Sequence, residues 1–259
     1  MKAHDFRRAL VLVTVMLVLS FWCSPAGAHS ADKGAVRPPT RFTDILVYGG
    51  VVGLVIIGLS VAATALTIEH LVTIRRPALM PMGLAEEVHQ LIAGGRFTQA
   101  EQQCKLQPSF LGYVLVAGLA EVEMGYPAVE KAMEDASQEQ AARLFRKIEY
   151  LSVIGNLAPM LGLLGTVWGM IGAFMQFEQT PNPQVAELAP GIYKALITTV
   201  EGLVVAIPVL ALFAIFRNRV DQLVAEATLL AEHVFVGFKR QTAGRRTMDT
   251  SAVAARQPE

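Results

Sequence analysis

The sequence predicts an all-α integral membrane protein: three transmembrane helices with a helical cytoplasmic domain between the first and second, preceded by a cleavable signal peptide. Composition is the first reason. Hydrophobic residues make up 53% of the 259 positions and charged residues only 17%, a balance that favours burial in lipid over a water-soluble domain. The second is three long stretches with almost no charge. The third is that Lys and Arg gather at one end of those stretches, which orients them.

The chain opens with Arg7 and Arg8, an apolar run from Ala9 to Trp22, and Ala26-Gly27-Ala28 before His29. A basic start, a short apolar core and an A-x-A site form a signal-peptide layout over residues 1–28. Residues 29–44, with their prolines and charges, then form a short periplasmic arm.

No charged residue stands between Asp44 and Glu69. As a helix rising about 1.5 Å per residue this crosses a hydrocarbon layer of about 30 Å, so residues 45–70 are the first transmembrane helix. Arg75 and Arg76 follow immediately and mark the cytoplasmic side.

Residues 71–148 have soluble character, and Pro81, Gly94-Gly95, Pro108, Gly125 and Pro127 punctuate short helical stretches. In the last of these Val129, Met133, Ala136, Leu144 and Ile148 recur mostly at three- and four-residue steps, a face that needs a helical partner. No proline separates this helix from the next apolar run.

Residues 149–177 are the second transmembrane helix, 178–190 a periplasmic loop without Lys or Arg, and 191–216 the third helix, interrupted by one acid, Glu201. Arg217 and Arg219 open a cytoplasmic tail over 217–259, expected to be disordered beyond about Gln241. This layout places the protein in the bacterial inner membrane, with its N-terminus periplasmic and its C-terminus cytoplasmic.

The 22 basic and 22 acidic residues cancel, so no nucleic-acid partner is expected. Cys23 and Cys104 make no redox pair, and the five histidines lack ligand spacing and are expected to be solvated or interfacial, with no metal and no cofactor. The spans hold no Ser/His or paired-Asp arrangement and the chain no phosphate-binding GxxxxGK[ST] loop, so no enzymatic activity is expected.

In the second span Gly162, Gly165, Gly169 and Gly172 repeat at steps of three, four and three, a stripe on which another backbone can pack closely. Thr166 lies at about the depth of Thr198, Thr199 and Glu201 in the third span. A membrane hydroxyl can simply bond its own backbone one turn back. Glu201 costs roughly 2.5–3.5 kcal/mol at a helix centre, which argues for a use, either as a proton relay or as a neutral hydrogen-bond donor between subunits. Lys194, near the exterior end of its span, can snorkel to water.

Two segments carry a family resemblance. One runs Leu157-Ala158-Pro159-Met160-Leu161-Gly162-Leu163-Leu164-Gly165-Thr166-Val167-Trp168-Gly169-Met170; the other contains Ala189-Pro190-Gly191-Ile192, Ala195-Leu196-Ile197-Thr198-Thr199, Gly202-Leu203 and Ala206-Ile207-Pro208. In these the chain resembles the MotA/TolQ/ExbB proton channel family, and most of all its ExbB/TolQ branch of biopolymer transport proteins. The resemblance implies a pore-forming subunit of an inner-membrane proton channel or motor that couples the proton motive force to envelope transport.

It further implies a homo-oligomer, commonly a homopentamer, around a single-span ExbD/TolR-like subunit carrying a transmembrane aspartate, with a TonB/TolA-like periplasm-spanning protein and membrane lipid as further partners. The family's pore threonines fall on Thr166 and Thr199, and Glu201 joins them as the chain's own acid on the proton path. One departure stands out: the pattern has a glutamate where this chain has Lys194, and an apolar residue where it has Glu201. Lys194 would then tune the pore mouth. A non-conducting membrane scaffold and a motility stator subunit stay open as alternatives.

Overall fold

A computed structural model describes residues 50–180 and 188–240. The expected signal peptide and arm, the first residues of the first span, most of the loop between the later spans and the tail beyond Arg240 lie outside these residues. Among the described residues all regular structure is helical. In chain order the helices are α1 (Gly50–Thr73), α2 (Arg76–Leu79), α3 (Leu84–Ala93), α4 (Phe97–Leu106), α5 (Phe110–Ala120), a short 3-10 turn (Val122–Met124), α6 (Tyr126–Gln179) and α7 (Ala189–Val234). Three of them, α1, α6 and α7, are long and apolar enough to cross a membrane.

The described chain falls into two compact units, one made of 50–69 and 149–215, the other of 70–148 and 216–240. In the first unit α6 and α7 run antiparallel: Gly162 abuts Thr198 and Thr199, Gly169 abuts Ala195, and Gly155 abuts Leu210. By contrast α1 and α7 run parallel, since Gly53 meets Glu201 while Ser60, Ala63, Thr64 and Thr67 share a small cleft with Val205, Val209 and Leu212. Pro159 and Pro208 stand inside their helices. Each leaves one carbonyl without its usual donor, a loss that neighbouring groups in a membrane bundle can make good.

In the second unit α3 packs on α4 and α4 on α5. Leu84, Val88, Leu111, Val114 and Leu115 form the core of this group, all fully buried. Gly83, with φ at +88°, turns the chain into α3, and Ser109 caps α5 by accepting the Gly112 N–H at 3.1 Å. Val129, Met133, Ala136 and Ile148 of α6 are buried as their spacing predicts, with Leu144 half-buried. A Cβ at Gly118 would lie 2.7 Å from the Met133 Cγ, so only a glycine admits that side chain.

The structure adds detail to two sequence expectations. Residues 217–234, read above as the start of a tail, continue α7, because Phe216, Val220, Leu223, Ala227, Ala231 and Val234 recur at helical steps and are all buried. The histidines are not all solvated either. His70 is buried edge-on to Phe216, 5.7 Å between ring centroids, and the His89 Nδ1–H donates to the Val234 carbonyl at 2.8 Å while its ring stacks near that of His233.

Candidate functional site

The candidate site is built from two facing stripes of small residues. On α6 these are Gly155, Ala158, Gly162, Gly165 and Gly169; on α7 they are Gly191, Ala195, Thr198, Gly202 and Ala206. Glycine is required where the backbones meet: a Cβ on Gly202 would lie 2.5 Å from the Ala158 carbonyl oxygen, and one on Gly162 only 2.8 Å from that of Thr198. A Cβ on Gly165 would run into the Thr198 side chain, and one on Gly169 would stand 3.0 Å from that of Ala195. Such contact without intervening side chains lets polar groups on one helix reach the main chain of the other.

Gly172 stands apart from this seam. A Cβ there meets nothing within 4 Å, so the stripe reads one glycine too long at its loop end. Conversely Gly155, Gly191 and Gly202 belong to the contact. The signal for Gly191 and Gly202 was present as Gly191-Ala195-Thr198-Gly202-Ala206, small residues at steps of four, three, four and four.

The threonine hydroxyls along the seam all end on main-chain carbonyls. Thr199 donates to the Gly162 carbonyl at 3.2 Å, while Thr166 donates to the Leu163 carbonyl at 2.6 Å. Thr198 is 3.3 Å from the Gly162 oxygen but 2.7 Å from the carbonyl of Ala195 in its own helix. A hydroxyl has one hydrogen to give, so its bond goes to Ala195 and the interhelical one belongs to Thr199. Thr166 and Thr199 thus address consecutive carbonyls of α6, each keeping oxygen lone pairs with which to accept.

Glu201 lies elsewhere. Its Oε2 is 3.0 Å from where a Cβ on Gly53 would be, so the carboxylate is turned toward α1. Both of its oxygens are shielded from solvent and neither has a hydrogen-bond partner. Two residues along a helix are about 200° of rotation, which puts Thr199 and Glu201 on opposite flanks of α7. The Thr166 and Thr199 hydroxyls bond adjacent main-chain carbonyls of α6, whereas the Glu201 carboxylate is turned to α1. Lys194 is exposed on α7, seven residues before Glu201, about 10 Å away along the axis and too far for an ion pair.

Outside the seam α6 exposes Met160, Leu163, Val167 and Trp168, and α7 exposes Leu196, Val200 and Ile207. Apolar surface of this extent suits lipid or further helices. Among the described residues no three His, Cys, Asp or Glu side chains gather as a metal site.

The sequence profile of the MotA/TolQ/ExbB proton channel family matches residues 107–228, which contain the whole glycine seam and all three threonines. A biopolymer transport protein of Synechocystis named ExbB-like 3 is 30% identical over 203 residues, covering 74% of this chain and 94% of that one. The chain belongs to the MotA/TolQ/ExbB proton channel family. Within it, relatives named ExbB and TolQ place the chain on the ExbB/TolQ branch. The biopolymer transport protein ExbB of Salmonella typhimurium is 37% identical over 109 residues, 42% of each chain. The match therefore spans less than half the length of that relative. A solved structure of C. jejuni MotAB shares the fold, with a TM-score of 0.52 at 17% identity over 92% of this chain and 93% of that one.

Proposed function

We propose that this protein is the pore-forming subunit of an inner-membrane proton channel that couples the proton motive force to transport across the envelope. The observation that carries the reading is the pair of hydroxyls on consecutive carbonyls, Thr199 on Gly162 and Thr166 on Leu163, inside the segment matched to a proton channel family. Each hydroxyl keeps a lone pair with which to accept a proton, and it hands one on by turning its own hydrogen from the carbonyl to a further acceptor such as a partner's carboxylate.

Among the described residues no carboxylate stands on the threonine flank, so the titrating acid there would come from a partner, a single-span ExbD/TolR-like subunit with a transmembrane aspartate. A ring of identical copies, five by the family resemblance, would surround it through the exposed apolar faces of α6 and α7. A TonB/TolA-like protein would carry the work outward. Arg75, Arg76, Arg217 and Arg219 follow the ends of α1 and the membrane part of α7. They support an N-terminus outside and the short helices α2 to α5 in the cytoplasm. Lys194, at the opposite end of α7, would tune the pore mouth.

Reconstituting the chain with its copurifying single-span partner and measuring proton flux tests the reading. Flux should be present and should fall when Thr199 or Thr166 loses its hydroxyl. A stable homo-oligomer with no such partner and no flux would instead support a non-conducting scaffold, a reading favoured by one observation: every one of these threonines already donates to a backbone carbonyl.

A further inference from the structure

The acid of the third span and its threonines are separate, and the helix that faces the acid is α1. Gly53 is buried, and a Cβ on it would come 3.0 Å from the Glu201 Oε2, closer than side chains normally approach. The carboxyl group therefore lies against bare helix backbone, in a space that exists because residue 53 has no side chain. Neither oxygen has a hydrogen-bond partner. An orphaned buried polar group of this kind calls for an explanation in use, because packing alone would favour an apolar residue.

The charged surroundings are sparse. No titratable side chain occurs on α1 from Gly50 to Ile68 or on α6 from Leu151 to Phe177. On α7 itself the nearest are Tyr193 and Lys194 toward one end and Arg217 toward the other. Nothing on these stretches of α1 and α6 can thus neutralise a carboxylate at this point, and among the described residues no acids or histidines gather with it as a metal site. The same face of α1 continues through Ser60, Thr64 and Thr67, which line the cleft against Val205, Val209 and Leu212. Thr64 and Thr67 donate to the Ser60 and Ala63 carbonyls, leaving oxygen lone pairs toward that cleft.

We propose that Glu201 and Gly53 form a proton-binding site between α1 and α7, distinct from the threonine flank that faces α6. The ligand is the proton itself: the uncharged acid fits an apolar, unpartnered contact, whereas the carboxylate must turn away from α1 to find water or a cation. Loading and unloading this site changes the α1–α7 contact without touching the Thr199–Gly162 bond. The proposal rests on the proton-channel reading for what the site is used for, but not for its existence.

Carbodiimides test it without any measurement of flux. A carbodiimide takes the acid's proton on nitrogen while the carboxyl oxygen adds to its central carbon, and the adduct rearranges to a stable acylurea with no leaving group. Membranes bearing the full chain are treated in parallel with dicyclohexylcarbodiimide, which partitions into lipid, and with a water-soluble carbodiimide, and adducts at Glu201 are counted by mass spectrometry. Glu201→Gln and detergent-denatured chain are the controls.

The lipid-soluble reagent should label Glu201 and the water-soluble one should not. Gly53→Ala, which displaces the carboxyl from its present torsion, should lower the ratio of the two by about two- to tenfold, and Gly53→Val further. Thr199→Val should leave it unchanged. Equal labelling by both reagents, no labelling of the native chain, or a ratio that responds to Thr199→Val and not to Gly53→Ala overturns the proposal. Should Gly53→Val fail to accumulate, the wild-type ratio and Gly53→Ala still decide. Absence of flux in the complex reconstituted with its copurifying partner would count against the channel reading and leave this result standing.

Discussion

The Thr199 hydroxyl donates to the Gly162 carbonyl 3.2 Å away on the neighbouring helix, and it reaches that oxygen because residue 162 has no side chain. The polar bond and the close packing are therefore one feature. A larger residue at 162 removes the approach, and an apolar residue at 199 removes the bond. The two kinds of change have different outcomes.

Thr199→Val keeps the shape and loses the donor. Stability in detergent should fall by about 0.6–2 kcal/mol, the range of interhelical bonds in membranes. Proton flux should fall while the oligomer persists. Thr199→Ser should restore both. Thermal melts and flux on the same three proteins make the comparison.

Gly162→Ala and Gly202→Ala each place a methyl group inside normal contact distance of α7 or α6 backbone. Each should destabilise by about 1–3 kcal/mol, as overpacking does. Gly172→Ala, which meets nothing within 4 Å, should stay within about 0.5 kcal/mol of wild type. If Gly172→Ala proved as damaging as Gly162→Ala in the isolated chain, the seam would have to extend further than the structure has it.

Cys104 is buried on α4, the helix that packs on both α3 and α5, and burial, with Glu101 adding to it, pushes its thiol from the ordinary 9.0 up to about 11. The native state then holds this proton through a pH range in which the unfolded chain releases it. Its contribution to stability is complete below pH 9.0 and is lost as pH rises toward about 11. At pH 8 iodoacetamide should modify Cys104 only after denaturation. Rapid alkylation of the native protein at that pH would contradict this burial.

Ser109 caps α5 through the Gly112 N–H. Ser109→Ala should cost about 1 kcal/mol and Ser109→Asp much less, since aspartate accepts the same bond. Melting of the full chain in detergent resolves the difference.

Much of the site was legible in sequence because it depends on spacing along one helix. The step of the α6 glycines identifies a seam wherever the partner lies, and the charge-free runs identify the spans by length alone. The α7 stripe could have been found the same way, but its members are mixed, an alanine or threonine between glycines, and a mixed stripe is a weaker pattern. Continuation of α7 to Val234 was also written in the sequence, in apolar residues that a membrane-first reading assigned to a tail once Arg217 and Arg219 had closed the span.

The sequence by itself determined which segments are helical, which of them suit lipid, and which end carries the arginines, because hydropathy, capping and charge act over a turn or two of chain. Only the tertiary structure decided what each polar side chain faces. Thr199 and Glu201 are two residues apart and share a depth, and on that ground they were grouped. Rotation of about 100° per residue separates them to opposite flanks, and which flank meets α6 and which meets α1 is set by the packing of small residues from three distant parts of the chain. Gly53 acquires its meaning in the same way: it is an unremarkable glycine in an apolar run until α7 lies against it with Glu201 in the space a side chain would fill.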